Sequence, residues 1–431
     1  MLPLLIAGLF AAAPANLVPP SPPPAAASGA SGSIDPAAAT RAYLDQLPAA
    51  QRAKSDAYFE GGYWLVLWDF LWSAAVFLFL LQSGASRRMR EFAERAVRVR
   101  PLQTALYWTL FLVAVSVLSF PLAVYRDFFR EHRYGLSNLT FAGWLGEELK
   151  GLLVGVILGG LAVTALYAVV RRVPRTWWMW GAAVSLAFSA FGSVIAPVLI
   201  LPLFNTPKKL QDPRVVGPIL SLARANGIET GEVWEVDASK QSRRISANVS
   251  GLFGTERITL NDNLLNRSSL PEIEAVMGHE MGHYVLNHVY TGLIEFGIVL
   301  VAGFALVAFF FERLRARFES SWGVRGIGDL AGLPLAALLL STYLFVLTPV
   351  LNSIVRVAES EADIFGLNAA RQPDGFAQTA LKLSEYRKLE PGPLEEAFFF
   401  DHPSGRTRIF TAMRWKAEHP ETWAGAAKSA R

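Results

Sequence analysis

The 431-residue chain contains no cysteine, which excludes disulfides, cysteine-ligated zinc, iron–sulfur clusters and thiol nucleophiles. Histidine is scarce too: with only six in the chain, any metal ion must be held by a few imidazoles and by carboxylates. Charged residues make up only 18% of the chain, against about 25% in an ordinary soluble domain. The composition therefore excludes an ordinary soluble enzyme.

Long apolar stretches dominate the sequence. Hydrophobic residues make up 52% of the chain, and the 12 Trp and 28 Phe suit a protein that contacts lipid. A helix needs about 20 apolar residues to cross a bilayer. Segments of that length lie near residues 62–82, 103–125, 150–170, 177–203, 290–311 and 331–352. The sequence therefore predicts a mainly α, polytopic membrane protein.

The N-terminus differs in character from these segments. Its apolar run followed by small residues is typical of a secretory signal cleaved after Ala15, although the usual basic start is missing; an uncleaved membrane anchor is the alternative. We divide the chain into 1–15, signal or anchor; 16–61, a Pro/Ala-rich linker and short helix; 62–203, four crossings; 204–289, a polar region; 290–352, two crossings; and 353–431, a second polar region. Within the polar regions, strands are predicted at 233–239 and 257–261 and helices at 271–289, 353–370 and 374–389.

Arginines cluster in three of the predicted loops between crossings. They lie at 83–102, 171–175 and 312–329, which fall on one side of the membrane if the crossings alternate. The positive-inside rule makes that side cytoplasmic. The polar regions 204–289 and 353–431 are then expected on the extracytoplasmic side of an inner or plasma membrane.

The motif HEMGH stands in the first polar region. Side chains four apart share a helix face, so His279 and His283 can bind one cation, and Glu280 can act as a base on a water beside it. The residues around the motif read as a helix with Ser269 as its cap. Neutral imidazoles combined with carboxylates suit zinc, which is the metal that we expect.

A third protein ligand must come from elsewhere in the chain. His288 lies five residues beyond the last histidine of the motif, which is a turn of about 500° along a continuous helix. We therefore expect its side chain to point away from the His279 and His283 pair, either on the surface or behind the metal ligands. The acidic run 356–363 is the best source of a ligand. Within it Glu359 and Asp363 share a helix face, so one could bind metal while the other orients a histidine. Spacing alone does not separate Glu359 from Glu361.

Several motifs stand in an order that carries more information than any one of them. They are FPLAVYRDFFREHRYGLSN (120–138), PLFN (202–205), SANVSGLFGTERITLNDNLL (246–265), HEMGHYVLNH (279–288), ESEAD (359–363) and HPSGRTR (402–408). In this order the chain resembles the integral-membrane zinc endopeptidases of the CAAX prenyl protease family, from about residue 60 to about residue 415. The HExxH motif alone is moderately specific, whereas the ordered set is highly specific.

The resemblance implies roles for further residues. Glu359 becomes the third zinc ligand, and Asp363 a catalytic or orienting acid beside the site. His402, in the His-Pro motif, is expected to steady the tetrahedral intermediate, a task that a ring N–H or a cation can perform. Asn248 and Arg408 match family residues and are expected to bind substrate, Asn248 from a strand beside the cleft.

The chain departs from the family pattern in a few places. The residues before Asn248 lack the usual histidine, and Ser360 and Glu361 stand where an aromatic residue and glutamine are common. In eukaryotic members of the family the active site faces the cytosol, whereas the arginine loops of this chain favour an active site on the extracytoplasmic side. These differences bear on substrate and topology more than on hydrolysis.

These observations predict a helical bundle of six or seven crossings that carries a zincin-like α+β metalloprotease domain built from 204–289 and 353–431. The expected activity is hydrolysis of peptide bonds with one Zn²⁺ per chain, with a protein or peptide substrate, the lipid bilayer as partner and no nucleic acid. The alternatives are a protease that cuts transmembrane substrates within the membrane, an envelope quality-control protease without lipidated substrates, and a non-catalytic membrane protein with a structural zinc. A structural zinc would not need Glu280.

Overall fold

The computed structural model describes residues 34–250 and 256–420. The signal or anchor predicted for residues 1–15 lies outside the described residues, as does the start of the linker. The helices are α1 Pro36–Leu44, α2 Ala49–Gln82, α3 Ala85–Ala96, α4 Arg100–Ala123, α5 Arg130–Tyr134, α6 Phe141–Arg172, α7 Trp177–Ile195, α8 Leu201–Phe204, α9 Pro213–Ala225, α10 Asp262–Arg267, α11 Leu270–Val285, α12 His288–Arg317, α13 Glu319–Trp322, α14 Leu333–Val346, α15 Thr348–Ala370, α16 Pro373–Leu383, α17 Pro393–Phe399 and α18 Gly405–Glu418. The strands are β1 Lys208–Lys209, β2 Val233–Val236, β3 Ala247–Ser250 and β4 Arg257–Asn261.

Five helical stretches of the described chain are long and apolar enough to cross a membrane. They are Ala49–Gln82, Arg100–Tyr134, Phe141–Arg172, Trp177–Phe204 and His288–Arg317. A sixth forms from Leu330–Val346 and Thr348–Ala370, which meet at a bend of 58°. The predicted bundle of membrane helices is therefore confirmed, with six crossings when the bent pair counts as one.

Large apolar side chains cover the outside of these helices. Leu161 is 58% exposed, Ile294 66% and Val117 65%. A soluble protein rarely exposes so much continuous apolar surface, whereas lipid accepts it, and helices satisfy their own backbone hydrogen bonds there. The protein is accordingly an integral membrane protein.

The bend between α14 and α15 connects the membrane to the second polar region. Pro349 occupies the first turn of α15, where its missing N–H costs no intrahelical hydrogen bond. The helix then runs past the apolar residues as far as Ala370 and buries Glu359 and Asp363 on one face. One rigid element thus carries acidic side chains from the membrane helix into the polar part of the molecule.

The four strands form one small sheet in the order β1-β2-β4-β3. Central β4 buries Ile258 and Leu260 completely and pairs with β2 in parallel and with β3 antiparallel, with Asn248 opposite Thr259. The strands predicted at β2 and β4 are confirmed, whereas β1, only two residues long, was not predicted. Strand β3 is an edge strand, so one side of its backbone is not paired within the sheet.

Helix α11, which carries the HEMGH motif, has well-defined ends. It starts after Ser269, whose backbone N–H donates to the Glu272 carboxylate at 2.6 Å in a capping box. It ends at Val285, and Asn287 adopts φ 60°, the left-handed conformation that breaks a helix. The next helix, α12, begins at His288, directly after this break.

Helices α11 and α15 touch through their backbones, because glycines face each other at the contact. A Cβ added to Gly366 would lie 2.7 Å from the backbone nitrogen of His279, and one added to Gly278 would lie 2.9 Å from the carbonyl oxygen of Gly366. No larger residue fits either position without moving a helix. This close approach places His279 beside the acidic face of α15.

The glycine contact predicts the effect of one added methyl group. Gly366→Ala should push α15 away from α11 and cost about 1–3 kcal/mol of stability, with a lower Tm and weaker metal binding. The matched control is Gly217→Ala in α9, where an added Cβ meets nothing within 4 Å and the higher helix propensity of alanine should leave Tm unchanged or raise it. Thermal unfolding in detergent measures both, and equal Tm values for the two variants would contradict the prediction.

Candidate metal centre

Two histidines of α11 and one glutamate of α15 converge on a single point. The Nε2 atoms of His279 and His283 lie 3.2 Å apart. The Oε2 atom of Glu359 lies 3.3 Å from Nε2 of His279, and its Oε1 atom lies 3.3 Å from Nε2 of His283. The structure thus brings together the three side chains predicted as metal ligands.

The spacing and chemistry of this cluster fit zinc. Bonds of about 2.0–2.2 Å to a tetrahedral zinc ion would put neighbouring ligand atoms about 3.3 Å apart. The buried Oε2 atom of Glu359 makes no well-aligned hydrogen bond in the described part of the chain, although Nε2 of His279 lies 3.3 Å away, and a cation between the two atoms would satisfy it. Two imidazoles with one carboxylate leave a fourth position open, which is the pattern of a catalytic rather than a structural site.

Asp363 holds His279 from behind. It lies one helical turn after Glu359, and its Oδ1 atom lies 2.8 Å from Nδ1 of His279, which leaves Nε2 turned to the cluster. Burial lowers the pKa of His279, but the bonds to Asp363 and Glu359 outweigh it and raise the pKa to about 10. The surroundings therefore favour a positive charge at this imidazole, whether a proton or a metal ion supplies it.

Arg408, on α18, lies behind Asp363. Its guanidinium pairs with both carboxylate oxygens, with Nε 2.9 Å from Oδ2, and the side chain is only 9% exposed. The planar fork suits such two-point contact. Arg408 thus supports the acid that orients His279, while its expected contact with substrate stays a prediction.

His402 lies in the turn between α17 and α18 and reaches the same cluster. Its Nε2 atom is 3.2 Å from Oε2 of Glu359, and its Nδ1 atom is 2.7 Å from Oδ1 of Asp401. The Arg387 guanidinium lies 3.3 Å from Nε2 of His402. Burial and the charge of Arg387 lower the pKa of His402, because both disfavour the imidazolium.

Glu280 follows the first histidine of the motif on α11. Burial raises the pKa of its carboxyl group, although His279 and His283 oppose this effect. A base works best when its pKa lies near the operating pH, so the direction of the shift suits proton transfer.

Asn248 lies on the edge strand β3, which packs against α11. Its Oδ1 atom is buried and has no hydrogen-bond partner within the described residues. An unsatisfied acceptor beside an open strand edge is suited to receive the backbone N–H of an added extended peptide.

Some features of the site could not be read from the sequence. Arg387 lies in the second polar region without a motif, and only folding brings it to His402; Asp401 could have been suspected from its position next to that histidine. The expectation that His288 points away from the motif is wrong. It assumed a continuous helix, whereas the break at Asn287 returns the ring of His288 to within 2.9 Å of His283.

Comparison with known proteins agrees with this arrangement. Residues 209–416 match the model of peptidase family M48, and residues 37–206 match that of the CAAX prenyl protease N-terminal region with five membrane helices, of which the described chain has four in that range. The chain is 32% identical to the uncharacterized metalloprotease YhfN of Bacillus subtilis, over 78% of this chain and 79% of YhfN. It is 27% identical to CAAX prenyl protease 1 of Saccharomyces cerevisiae, over 75% of each.

A solved structure has the same fold. The crystal structure of S. mikatae Ste24p superposes with a TM-score of 0.71 at 22% identity and covers 86% of this chain and 90% of that one. Fold and matches together define a membrane-embedded metalloprotease with a metal cofactor and a protein or peptide substrate. The chain belongs to peptidase family M48, among the integral-membrane members that include the CAAX prenyl proteases.

Arg408→Gln tests what this arginine does. The substitution leaves the buried Asp363 carboxylate without its guanidinium partner. We therefore expect the free energy of unfolding to fall by about 3–5 kcal/mol, with a lower Tm and a reduced metal content. Arg414→Gln on the same helix is the control, because its pair with Glu418 is exposed and its loss should leave Tm nearly unchanged. A raised KM for Arg408→Gln with normal Tm and metal content would instead assign the residue to substrate binding.

Proposed function

We propose that this protein is a membrane-embedded zinc endopeptidase in which His279, His283 and Glu359 hold one zinc ion per chain. The observation that carries this proposal is the convergence of the two imidazoles on the Glu359 carboxylate. Their Nε2 atoms lie 3.2 Å apart, and each lies 3.3 Å from a different oxygen of Glu359. Glu280 follows the first of the two histidines in the motif. The family supports hydrolysis of peptide bonds, and it does not favour a non-catalytic protein with structural zinc.

The roles of the side chains follow from their positions. When bound, zinc supplies a Lewis acid that polarises a carbonyl group and lowers the pKa of a water ligand. Glu280 accepts the proton of the attacking water and delivers it to the leaving amine. Asp363, held by Arg408, keeps the ring of His279 in the tautomer that leaves Nε2 for the metal.

The tetrahedral intermediate needs positive charge where its oxygen becomes negative. We assign this task to His402 together with Arg387, whose guanidinium lies 3.3 Å from the imidazole. Arg387 forms no ion pair within 4.0 Å among the described residues, so its charge remains available. Arg408 is bound to Asp363 and is less suited to this task.

The substrate is proposed to bind as an extended peptide along β3. Strand addition uses backbone hydrogen bonds, which suits a protease because the scissile bond must lie in the backbone. The yeast relative is named a CAAX prenyl protease, whereas the bacterial relative carries only a metalloprotease name. The site chemistry is the same with or without a lipid on the substrate, and quality control of envelope proteins is the second candidate.

The arrangement of the arginine loops supports an extracytoplasmic active site. The three loops lie together: Arg90 pairs with Asp329 at 2.6 Å, Arg325 pairs with Glu94 at 2.7 Å, and Arg171 donates to the carbonyl of Gly328 at 3.2 Å. Loops in contact share one side of the membrane, and the positive-inside rule makes that side cytoplasmic. The protease domain proposed for 204–289 and 353–431 then lies opposite.

Glu280→Gln separates metal binding from catalysis. The amide cannot accept a proton, so peptide hydrolysis should fall at least about 100-fold while one zinc per chain remains bound. Metal analysis and cleavage of a fluorogenic peptide are measured on the same detergent-purified samples. Glu274→Gln on the same helix is the control and should keep activity, since among the residues that the structure describes Glu274 accepts its hydrogen bond from Gln372 and not from the metal cluster.

Two results would contradict this prediction. Wild-type protein without zinc would rule out the proposed metal site. Glu280→Gln protein with full activity would rule out this residue as the base.

Asn248→Ala tests the edge strand. Loss of one hydrogen bond to a peptide backbone should raise KM roughly 3–10-fold and change kcat little. Ser250 lies two residues further along the same strand, on the same face. The KM of Ser250→Ala should stay close to that of the wild type if Asn248 is the specific contact. Unchanged KM for Asn248→Ala would place the substrate elsewhere.

A further inference from the structure

We infer that His288 and Glu361 are positioning residues that fix the metal-binding orientation of His283. This inference rests on the proposed metal site and assigns a hydrogen-bonded support to its second histidine ligand. The Nδ1 atoms of His283 and His288 lie 2.9 Å apart, and Nε2 of His288 lies 3.1 Å from Oε2 of Glu361. The three side chains therefore form one chain of contacts that ends on α15.

The break between α11 and α12 makes this contact possible. On a continuous helix the ring of His288 would project about 140° away from that of His283. Here Asn287 adopts φ 60° and α12 starts anew, so His288 folds back over the end of α11. The side chain of His288 is only 8% exposed. A histidine so placed is held by packing as well as by its two polar contacts.

Donor and acceptor rules leave one consistent assignment of the protons. A metal ion on Nε2 of His283 requires a proton on its Nδ1 atom, which then donates to Nδ1 of His288. The proton of a neutral His288 must then sit on Nε2, from which it donates to the Glu361 carboxylate. Each hydrogen bond thus fixes the tautomer of the next ring. The ring of His283 cannot flip without breaking its hydrogen bond to His288.

The two histidine ligands are therefore supported in different ways. His279 bonds directly to Asp363, a carboxylate that is 4% exposed and held by Arg408. His283 bonds to a neutral imidazole, and the carboxylate behind it, Glu361, is 59% exposed. Water can replace an exposed carboxylate but not the buried ring of His288. We therefore expect His288 to matter more for metal affinity than Glu361.

Zinc affinity measured by competition with a chelator tests the inference independently of activity. His288→Leu removes the acceptor for His283 and should weaken zinc binding about 10–100-fold, with an altered visible absorption spectrum of the cobalt-substituted protein. His288→Asn should restore most of the affinity, because its side-chain oxygen can accept at the position of Nδ1. Glu361→Leu should show a smaller loss than His288→Leu. Ser360→Ala, an exposed neighbour on the same helix, should match wild type.

The outcomes distinguish this inference from the proposed function. Wild-type protein that binds no zinc would refute the metal site itself. Wild-type protein that binds zinc, with His288→Leu binding equally well at equal Tm, would overturn the inference alone. Equal losses of zinc affinity in His288→Leu and His288→Asn would also overturn the inference, because a positioning role through an acceptor atom requires that asparagine restore the affinity.

Discussion

The backbone contact between α11 and α15 is the constraint on which the site depends. Gly278 and Gly366 lack the side-chain atoms that would hold the two helices apart. The contact brings the HEMGH helix against an acidic helix from a distant part of the chain, so that His279 meets Glu359 and Asp363 without any intervening side chain. A looser contact would leave the histidine pair without its third partner, because a carboxylate side chain cannot span the extra distance.

The electrostatics of the site follow from this contact. Two buried carboxylates on one face of α15 would be costly alone, because charge is poorly solvated in the interior. Arg408 compensates Asp363 directly, and the imidazoles lie against Glu359. The raised pKa of His279 expresses the same excess of negative charge, which a divalent cation would neutralise. Hydrogen-bonded support behind the ligands then sets their geometry rather than their charge.

The membrane helices do more than anchor this centre. α15 continues from α14 across a proline-marked bend, so the helix that carries Glu359 is rigidly connected to a crossing. α12, which is also a crossing, begins at His288 beside the site. The His279, His283 and Glu359 cluster is thus built from two polar stretches that are separated in sequence by two crossings. The proposed binding of a peptide along β3 would place it beside a centre fixed to the bilayer, which suits substrates held at or in a membrane.

Much could be predicted from the sequence, because the relevant signals are local. Apolar runs predict the crossings, and short strand-like segments predict β2 and β4. Two histidines four residues apart predict one face of a helix. The spacing of Glu359 and Asp363 predicted that both lie on one face of a helix. It did not indicate whether Glu359 or Glu361 is the metal ligand. Tertiary structure decided what depends on distance and direction: the approach of α15, the contact of Arg387 with His402, the burial of Arg408 against Asp363, and the return of His288 to His283. Each of these contacts joins residues across a helix break or across intervening helices and loops. Periodicity along the chain carries no information about such contacts.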